Sequence, residues 1–97
     1  MAGYLIANIE VQDAGTFAQY RDQVAPLIAR FGGRYLVRGG ELDHREGRLP
    51  FQRLVVLEFP SLAEAKRFYE SPEYAPVLKL RVDSCKSDVA LVEGYVG

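Results

Sequence analysis

The sequence contains few residues that could form disulfides or metal sites: its 97 residues include one cysteine, one histidine and no tryptophan. Cys85 therefore has no disulfide partner within the chain, whereas small secreted domains usually carry several disulfides. One histidine and one distant cysteine do not make a metal-ligand cluster. We therefore expect a cytoplasmic protein that binds no metal.

The chain also lacks an excess of charge, because 12 basic residues stand against 13 acidic ones and the net charge is −1. It has no cluster of basic residues, which argues against binding to nucleic acid or to an anionic membrane. No apolar run approaches the roughly 20 residues that span a bilayer. The first residues show no pattern of a signal peptide, so we expect none.

A hydrophobic fraction of 48% at this length predicts one globular domain over residues 1–97. Capping boxes that begin at Thr16 and Ser61 predict the starts of two helices, and Gly32 ends the first of them. Ser71 and Pro72 begin a third helix that runs to about Val82. Strand patterns are present at residues 4–11, 34–38, 53–59 and 87–93.

The predicted order β-α-β-β-α-α-β indicates an α+β fold of the split βαβ, or ferredoxin-like, type. Right-handed crossovers restrict how the strands are arranged. The simplest arrangement is a four-stranded antiparallel sheet of order 4-1-3-2 with the helices on one face.

Both faces of this predicted sheet are apolar. In the first strand, Tyr4 and Ile6 lie on the side opposite Leu5, and in the third strand Val56 lies opposite Leu57. A sheet face that meets water should be polar, and the helices shelter only one face. We therefore predict a homodimer whose two sheets face each other. The alternatives are a monomer with a loop folded over the sheet, or an unrelated partner.

Several segments resemble a bacterial family called domain of unknown function 1330, in the right order and over nearly the whole chain. They are residues 31–40, 55–61, 69–74 and 91–94, together with Ala65 and Arg81. Phe68 stands where many members have tryptophan. The resemblance implies a dimeric α/β-barrel fold. That superfamily includes cofactor-free monooxygenases, muconolactone-type isomerases, haem enzymes and small-molecule sensor domains, so the resemblance implies no particular reaction.

Arg81 is the strongest candidate for a ligand-binding residue. At about 100° per residue it shares the apolar face of the third helix with Tyr74 and Leu78. Arginine is rarely buried without a partner, and here it would hold a carboxylate of a ligand through two hydrogen bonds. The alternatives are a structural ion pair with Glu58 or Glu93, or a side chain that reaches water.

Glu58 and His44 are the candidates for proton transfer. Glu58 is the only charged residue from Leu54 to Phe59, and a carboxylate removed from water can act as a general base. The simpler interpretation is an ion pair with Arg34 across the predicted hairpin. His44 would act as an acid or base if the charged loop at residues 41–50 closes over a cavity. A solvated loop histidine is the alternative.

Other residues are candidates for the wall of a ligand site. Tyrosines on apolar helix faces would orient an aromatic ligand, or are simply core residues. A cation followed by glycine offers backbone that a ligand can approach closely, although glycine pairs also mark bulges and strand ends. The residues in this group are Tyr20, Tyr69, Tyr74, Asn8, Arg38 and Gly39.

These residues predict a small-molecule-binding protein that works without a cofactor. The main hypothesis is proton transfer or oxygenation of a small anionic or aromatic metabolite, with Arg81 as the anchor and Glu58 or His44 moving the proton. A non-catalytic binding or sensing module is the second hypothesis, because the sequence shows no catalytic triad or metal set. A haem protein that depends on His44 is the third.

Overall fold

The computed structural model describes residues 1–96. The helices and strands of that part of the chain follow in the order β1 (Gly3–Val11), α1 (Ala14–Arg30), β2 (Arg34–Arg38), β3 (Leu54–Phe59), α2 (Leu62–Tyr69), α3 (Ala75–Ser84) and β4 (Cys85–Glu93).

The four strands form one antiparallel sheet of order β2-β3-β1-β4, which is the predicted order 4-1-3-2 counted from the other edge. The three helices lie on one side of it. The predicted ferredoxin-like fold is therefore confirmed. None of the helices in residues 1–96 has the length and apolar character needed to cross a bilayer.

The sheet has a covered face and an uncovered one. Alternate residues of β1 and β3, such as Leu5, Ala7 and Leu57, point towards the helices and are buried. The intervening residues form the other side, where Ile6 is paired with Val56 on β3. We call that side the open face; across β1, β3 and β4 it consists of Tyr4, Ile6, Asn8, Leu54, Val56, Glu58, Asp88, Ala90 and Val92.

An aromatic cluster fills the space between the sheet and the helices. The ring of Phe68 on α2 lies 5.3 Å from that of Phe59 and 4.5 Å from that of Tyr74. All three side chains are almost completely buried. Since large aromatic rings bury the most apolar surface per residue, this cluster holds α2 and the start of α3 against the sheet.

The start of α1 differs from the prediction. We predicted Thr16 as the N-cap, but the helix begins at Ala14 and Asp13 is the N-cap. The Asp13 carboxylate accepts hydrogen bonds from both the backbone N–H and the hydroxyl of Thr16, and these bonds lower its pKa. The prediction was wrong because Ala14 and Gly15 are exposed and small, so the apolar pattern of the helix becomes visible only at Phe17.

The other helix starts agree better with the sequence. Ser61 accepts from the backbone N–H of Glu64 at 3.1 Å, so the predicted N-cap of α2 is confirmed. Ser71 likewise accepts from the N–H of Tyr74, but the regular helix α3 begins only at Ala75. Helix α3 then leads directly into β4 at Cys85, two residues before the predicted start of the strand.

An irregularity in β2 decides which way its side chains point. Tyr35 pairs with Leu57 and Val37 pairs with Val56, so Leu36 is an extra residue in the ladder. Such a bulge shifts the alternation of the strand by one residue. Tyr35 and Arg38 consequently both face the helices, although their spacing in a regular strand would put them on opposite sides.

The long connection between β2 and β3 is tied to the edge of the open face. The Asn8 side chain donates to the Pro50 carbonyl at 2.9 Å and accepts from the Gln52 N–H at 2.8 Å. The connection lies over one end of the face only, because Val92 at the other end stays 43% exposed. The connection therefore covers one end of the open face and not the whole face, as the alternative of a loop folded over the sheet would require.

Gly3 lies where β1 meets the start of α2, and we expect Gly3→Ala to lower the free energy of unfolding by about 1–3 kcal/mol. A Cβ atom there would come within 2.5 Å of the Leu62 Cα and the Ser61 carbonyl oxygen, which are backbone atoms that cannot rotate away. Denaturant unfolding measures the change. Gly40→Ala is the matched control, because a Cβ at Gly40 meets no atom within 4 Å. Equal losses in the two variants would contradict the proposed packing.

Candidate functional site

A cavity lies between the covered face of the sheet and helices α1 and α3. Its floor consists of apolar side chains of β1 and β3, including Leu5, Ala7, Val55 and Leu57. The cavity and its mouth together contain about 520 Å³ of empty space, part of which is open solvent. A small ligand that enters through this mouth would place its apolar body on the floor.

Arg81 reaches this cavity from α3 and is only 4% exposed. Its guanidinium group donates to the Ser87 hydroxyl and, at 3.3 Å, to the hydroxyl of Tyr69. The guanidinium carbon also lies 6.0 Å from the centre of the Tyr20 ring. All the side-chain groups that contact the cation are therefore neutral.

The carboxylates that could have neutralised Arg81 lie elsewhere. No carboxylate oxygen of residues 1–96 lies within ion-pair distance, 4.0 Å, of its guanidinium nitrogens. The structural ion pair with Glu58 or Glu93 that the sequence left open is thus absent. Burying an unpaired charge is costly unless a partner is supplied, so an anionic ligand is the natural complement to this position.

Three tyrosines form the wall above the floor. The hydroxyl of Tyr20 on α1 lies 2.9 Å from that of Tyr74, and the ring of Tyr69 lies 5.6 Å from the ring of Tyr74. Burial, followed by the neighbouring Tyr74, raises the pKa of Tyr20 above its ordinary 10.0. A phenol in this state is protonated at neutral pH, so it donates or accepts hydrogen bonds and does not act as a base.

Arg38 and Tyr35 form part of the mouth. The guanidinium carbon of Arg38 lies 4.6 Å from the centre of the Tyr35 ring, which holds the cation over the ring face. Burial raises the pKa of Tyr35, although the nearby Arg38 opposes this effect. Arg21 of α1 also borders the cavity and, like Arg38, is exposed.

Gly39 lies against a further arginine. Its φ of +70° is a left-handed conformation that favours glycine, and a Cβ atom there would come 2.5 Å from the Arg53 Nη1 atom. The absence of a side chain thus leaves space for the Arg53 guanidinium, whose carbon lies 5.6 Å from the centre of the Phe17 ring. Gly39 therefore positions Arg53, which itself lines the cavity.

The sheet separates the remaining candidates from this cavity. Glu58 lies on the open face, where it accepts from the Arg34 Nε and Nη2 atoms at 2.8 Å and from the Tyr4 hydroxyl at 3.4 Å. The predicted ion pair between Arg34 and Glu58 is therefore confirmed. Asn8 is on the same face and holds the long connection, as described above.

His44 lies outside the cavity as well. It is an exposed residue of the connection between β2 and β3. Of the candidates chosen from the sequence, five line this cavity: Arg81, Arg38 and the three tyrosines. Glu58, His44 and Asn8 do not line it. Within residues 1–96 no carboxylate or imidazole lines the cavity, and no group of three metal-ligating side chains occurs.

Sequence reasoning missed Arg53, Tyr35 and Arg21. Arg53 has a readable signal, because it precedes Val55 and Leu57 at the two-residue spacing that places side chains on one face of a strand. Tyr35 faces the cavity because it pairs with Leu57, and the sequence of β2 alone does not fix that register. Four guanidinium groups, with no lining carboxylate among residues 1–96, give the cavity a positively charged lining.

Comparison with known families and structures agrees with the fold. The model of the family described as Domain of unknown function (DUF1330) matches residues 2–95. A protein of unknown function from Rhodopseudomonas palustris has a TM-score of 0.75 at 17% identity, over 99% of this chain and 84% of its own. No curated protein matches the chain.

Two further structures are informative. SnoaB from Streptomyces nogalater, a cofactor-independent oxygenase, has a TM-score of 0.63 at 16% identity, over 99% of this chain and 95% of its own. A dimeric ferredoxin-like protein of unknown function from Jannaschia sp. has a TM-score of 0.64 at 15% identity, over 97% of this chain and 100% of its own. At such low identity the likeness establishes the fold alone.

The raised pKa of Tyr20 predicts a loss of stability in alkaline solution. In the unfolded chain the phenol ionises near its ordinary 10.0, whereas in the fold it stays protonated to higher pH. Its contribution to stability is therefore fully present below about pH 10 and is lost as the pH rises further. We expect Tyr20→Phe to flatten the decline of unfolding free energy above about pH 10, and to lose about 1 kcal/mol at neutral pH with the Tyr74 hydrogen bond.

Tyr95→Phe is the control, because that side chain is 92% exposed. Chemical denaturation at a series of pH values gives the free energy of unfolding of the wild type, Tyr20→Phe and Tyr95→Phe. If Tyr20→Phe and Tyr95→Phe declined with the same slope, the burial of the Tyr20 hydroxyl would not be the cause.

Proposed function

The chain belongs to the family described as domain of unknown function DUF1330, and we propose that it binds a small organic anion in the cavity between its sheet and its helices. Arg81 anchors an acidic group of the ligand, and the apolar floor holds the rest of the molecule. The class of ligand is a carboxylate, or a similar planar anion, with an aromatic or other flat apolar body.

One observation carries this proposal: Arg81 is buried and its side-chain contacts are neutral. A guanidinium group presents parallel N–H donors that match the two oxygens of a carboxylate. The Tyr69 hydroxyl accepts from Arg81 and keeps its own proton free to donate. An incoming carboxylate would thus meet the cation and a neutral donor together.

The shape and charge of the entrance support the same ligand class. Arg21 and Arg38 lie at the mouth and are exposed, so they raise the local concentration of anions before binding. The aromatic faces of Tyr20 and Tyr69 suit a planar ligand body.

Binding is the function that the cavity supports, since neither residue expected to move a proton reaches it. Glu58 is engaged by Arg34 on the other side of the sheet, and His44 lies in the exposed connection. That position of His44 also does not fit a haem ligand in the cavity. The fold shared with the oxygenase SnoaB carries no reaction over to this chain at 16% identity.

A homodimer that joins two open faces is part of the proposal. Ile6, Leu54 and Val56 form an apolar patch there, and each buried side chain of this type contributes roughly 1.5–3 kcal/mol. The Jannaschia protein of similar fold is described as dimeric. In such a dimer each cavity opens on the outer, helix-covered side and works independently. A single buried Cys85 suits a reducing compartment, so we place the protein in the cytoplasm.

Arg81→Gln should weaken binding of benzoate and 4-hydroxybenzoate by about 10- to 100-fold, because it removes charge-assisted hydrogen bonds. Isothermal titration calorimetry measures the Kd. Benzamide has the same shape without the charge, so we expect it to bind the wild type far more weakly than benzoate. The affinity for benzoate should also fall as salt is added.

Arg67→Gln serves as the control, because Arg67 is exposed on α2 and pairs with Glu64. It should bind benzoate like the wild type. Far-UV circular dichroism and thermal melting establish that each variant is folded. Equal affinity of the wild type for benzoate and benzamide, or full affinity in folded Arg81→Gln, would rule out the anion site.

Val56→Lys should raise the dimer Kd by about two orders of magnitude, because it places an unpaired cation in the middle of the proposed interface. Sedimentation equilibrium should give twice the chain mass of 10.9 kDa for the wild type and the single mass for the variant. Val82→Lys makes the same change on α3, where Val82 is 61% exposed, and should leave the dimer intact. A wild-type protein that stays monomeric at micromolar concentration would refute this interface.

A further inference from the structure

A second guanidinium group in the cavity has an unused hydrogen-bond donor. The Nε atom of Arg53 is buried and has no hydrogen-bond partner among residues 1–96. Buried donors of this kind are nearly always paired in folded proteins. The guanidinium is held in place by Phe17 on one side and by the space that Gly39 leaves on the other.

The position of Arg53 is distinct from that of Arg81. Arg53 lies against Phe17, whereas Arg81 lies against Tyr20. These two rings are stacked on α1 with their centres 5.9 Å apart. The two guanidinium groups therefore lie against different rings, and both line the same cavity over its apolar floor.

The positive charge of the cavity also favours a ligand with a second negative group. Arg21, Arg38, Arg53 and Arg81 border it, and within residues 1–96 it has no lining carboxylate. Like charges repel one another, and most strongly where water is excluded, as it is around Arg81. A ligand with one negative charge leaves most of this repulsion in place, whereas a second negative group offsets more of it.

On the basis of the anion site proposed above, we infer that the ligand is a dicarboxylate: one carboxylate binds at Arg81 and the second binds at Arg53, with a planar apolar body between them. Arg53 donates through Nε and one terminal nitrogen, which is the paired geometry that a carboxylate accepts. Gly39 is a positioning residue for Arg53, because a side chain there would displace the guanidinium group.

The test compares one body with one or two carboxylates. Benzoate, isophthalate and terephthalate are titrated calorimetrically into the wild type, Arg53→Gln, Arg81→Gln and the control Arg67→Gln. We expect at least one dicarboxylate to bind the wild type more tightly than benzoate. Arg53→Gln should weaken the binding of that dicarboxylate by about 10- to 100-fold and leave the binding of benzoate little changed. Arg81→Gln should weaken the binding of both ligands.

A second measurement does not depend on a variant that folds. In the NMR spectrum of the wild type, the Arg53 Nε–H signal should shift and exchange more slowly with isophthalate or terephthalate, because the buried donor then has an acceptor. Benzoate should leave this signal nearly unchanged. Phenyl phosphate supplies two negative charges from a single group and is the alternative source of a dianion.

The outcomes separate the two proposals. If no carboxylate binds, or binding does not depend on Arg81, the anion site itself is wrong. If benzoate binds through Arg81 but neither dicarboxylate gains affinity or affects Arg53, only the second position is overturned. The proposed carboxylate position at Arg53 is also overturned if Arg53→Gln weakens the binding of phenyl phosphate but weakens the binding of neither dicarboxylate.

Discussion

A cation buried among neutral groups is the constraint on which the candidate site depends. Arg81 extends from α3 into the cavity with hydroxyl groups and an aromatic ring as its partners, so its charge is solvated by dipoles and is not cancelled. Tyr69, Tyr20 and Ser87 hold the guanidinium in one orientation. Under the proposed function, a guanidinium group held in this way would bind an anion with little further loss of side-chain freedom.

The sheet gives this small chain two separate surfaces. On the covered side, α1 and α3 leave space over an apolar floor, and arginines from helices and strands surround it. On the open side, Glu58 is paired with Arg34 while Ile6 and Val56 are partly exposed. Successive residues of one strand therefore belong to different surfaces, because their side chains point to opposite faces of the sheet. This division is why Glu58 and Arg81, which the sequence suggests as parts of one site, cannot act together.

Particular residues show how far sequence reasoning reached. Arg81 and the tyrosines were found because helical periodicity places them on the apolar faces of their helices. The position of Arg53 on the covered face could have been predicted from its two-residue spacing from Val55, although the strand pattern alone gives it no functional role. Arg38 was chosen for its neighbouring glycines, and the reason it faces the cavity is the bulge at Leu36. The register of a strand against its partner is a property of two segments, and no single segment encodes it.

The sequence by itself determined the order of the strands and helices, the ferredoxin-like sheet and its two apolar faces, because hydrophobic periodicity and capping residues are local signals. It also placed Arg81 on the apolar face of α3. Only the tertiary structure decided that Arg81 has no carboxylate partner among residues 1–96 and that Arg53 lies in the same cavity. It also decided that Glu58, Asn8 and His44 lie elsewhere. The physical reason is that pairing of charges depends on distances across the sheet and between helices, and these are set by packing between residues far apart in the chain.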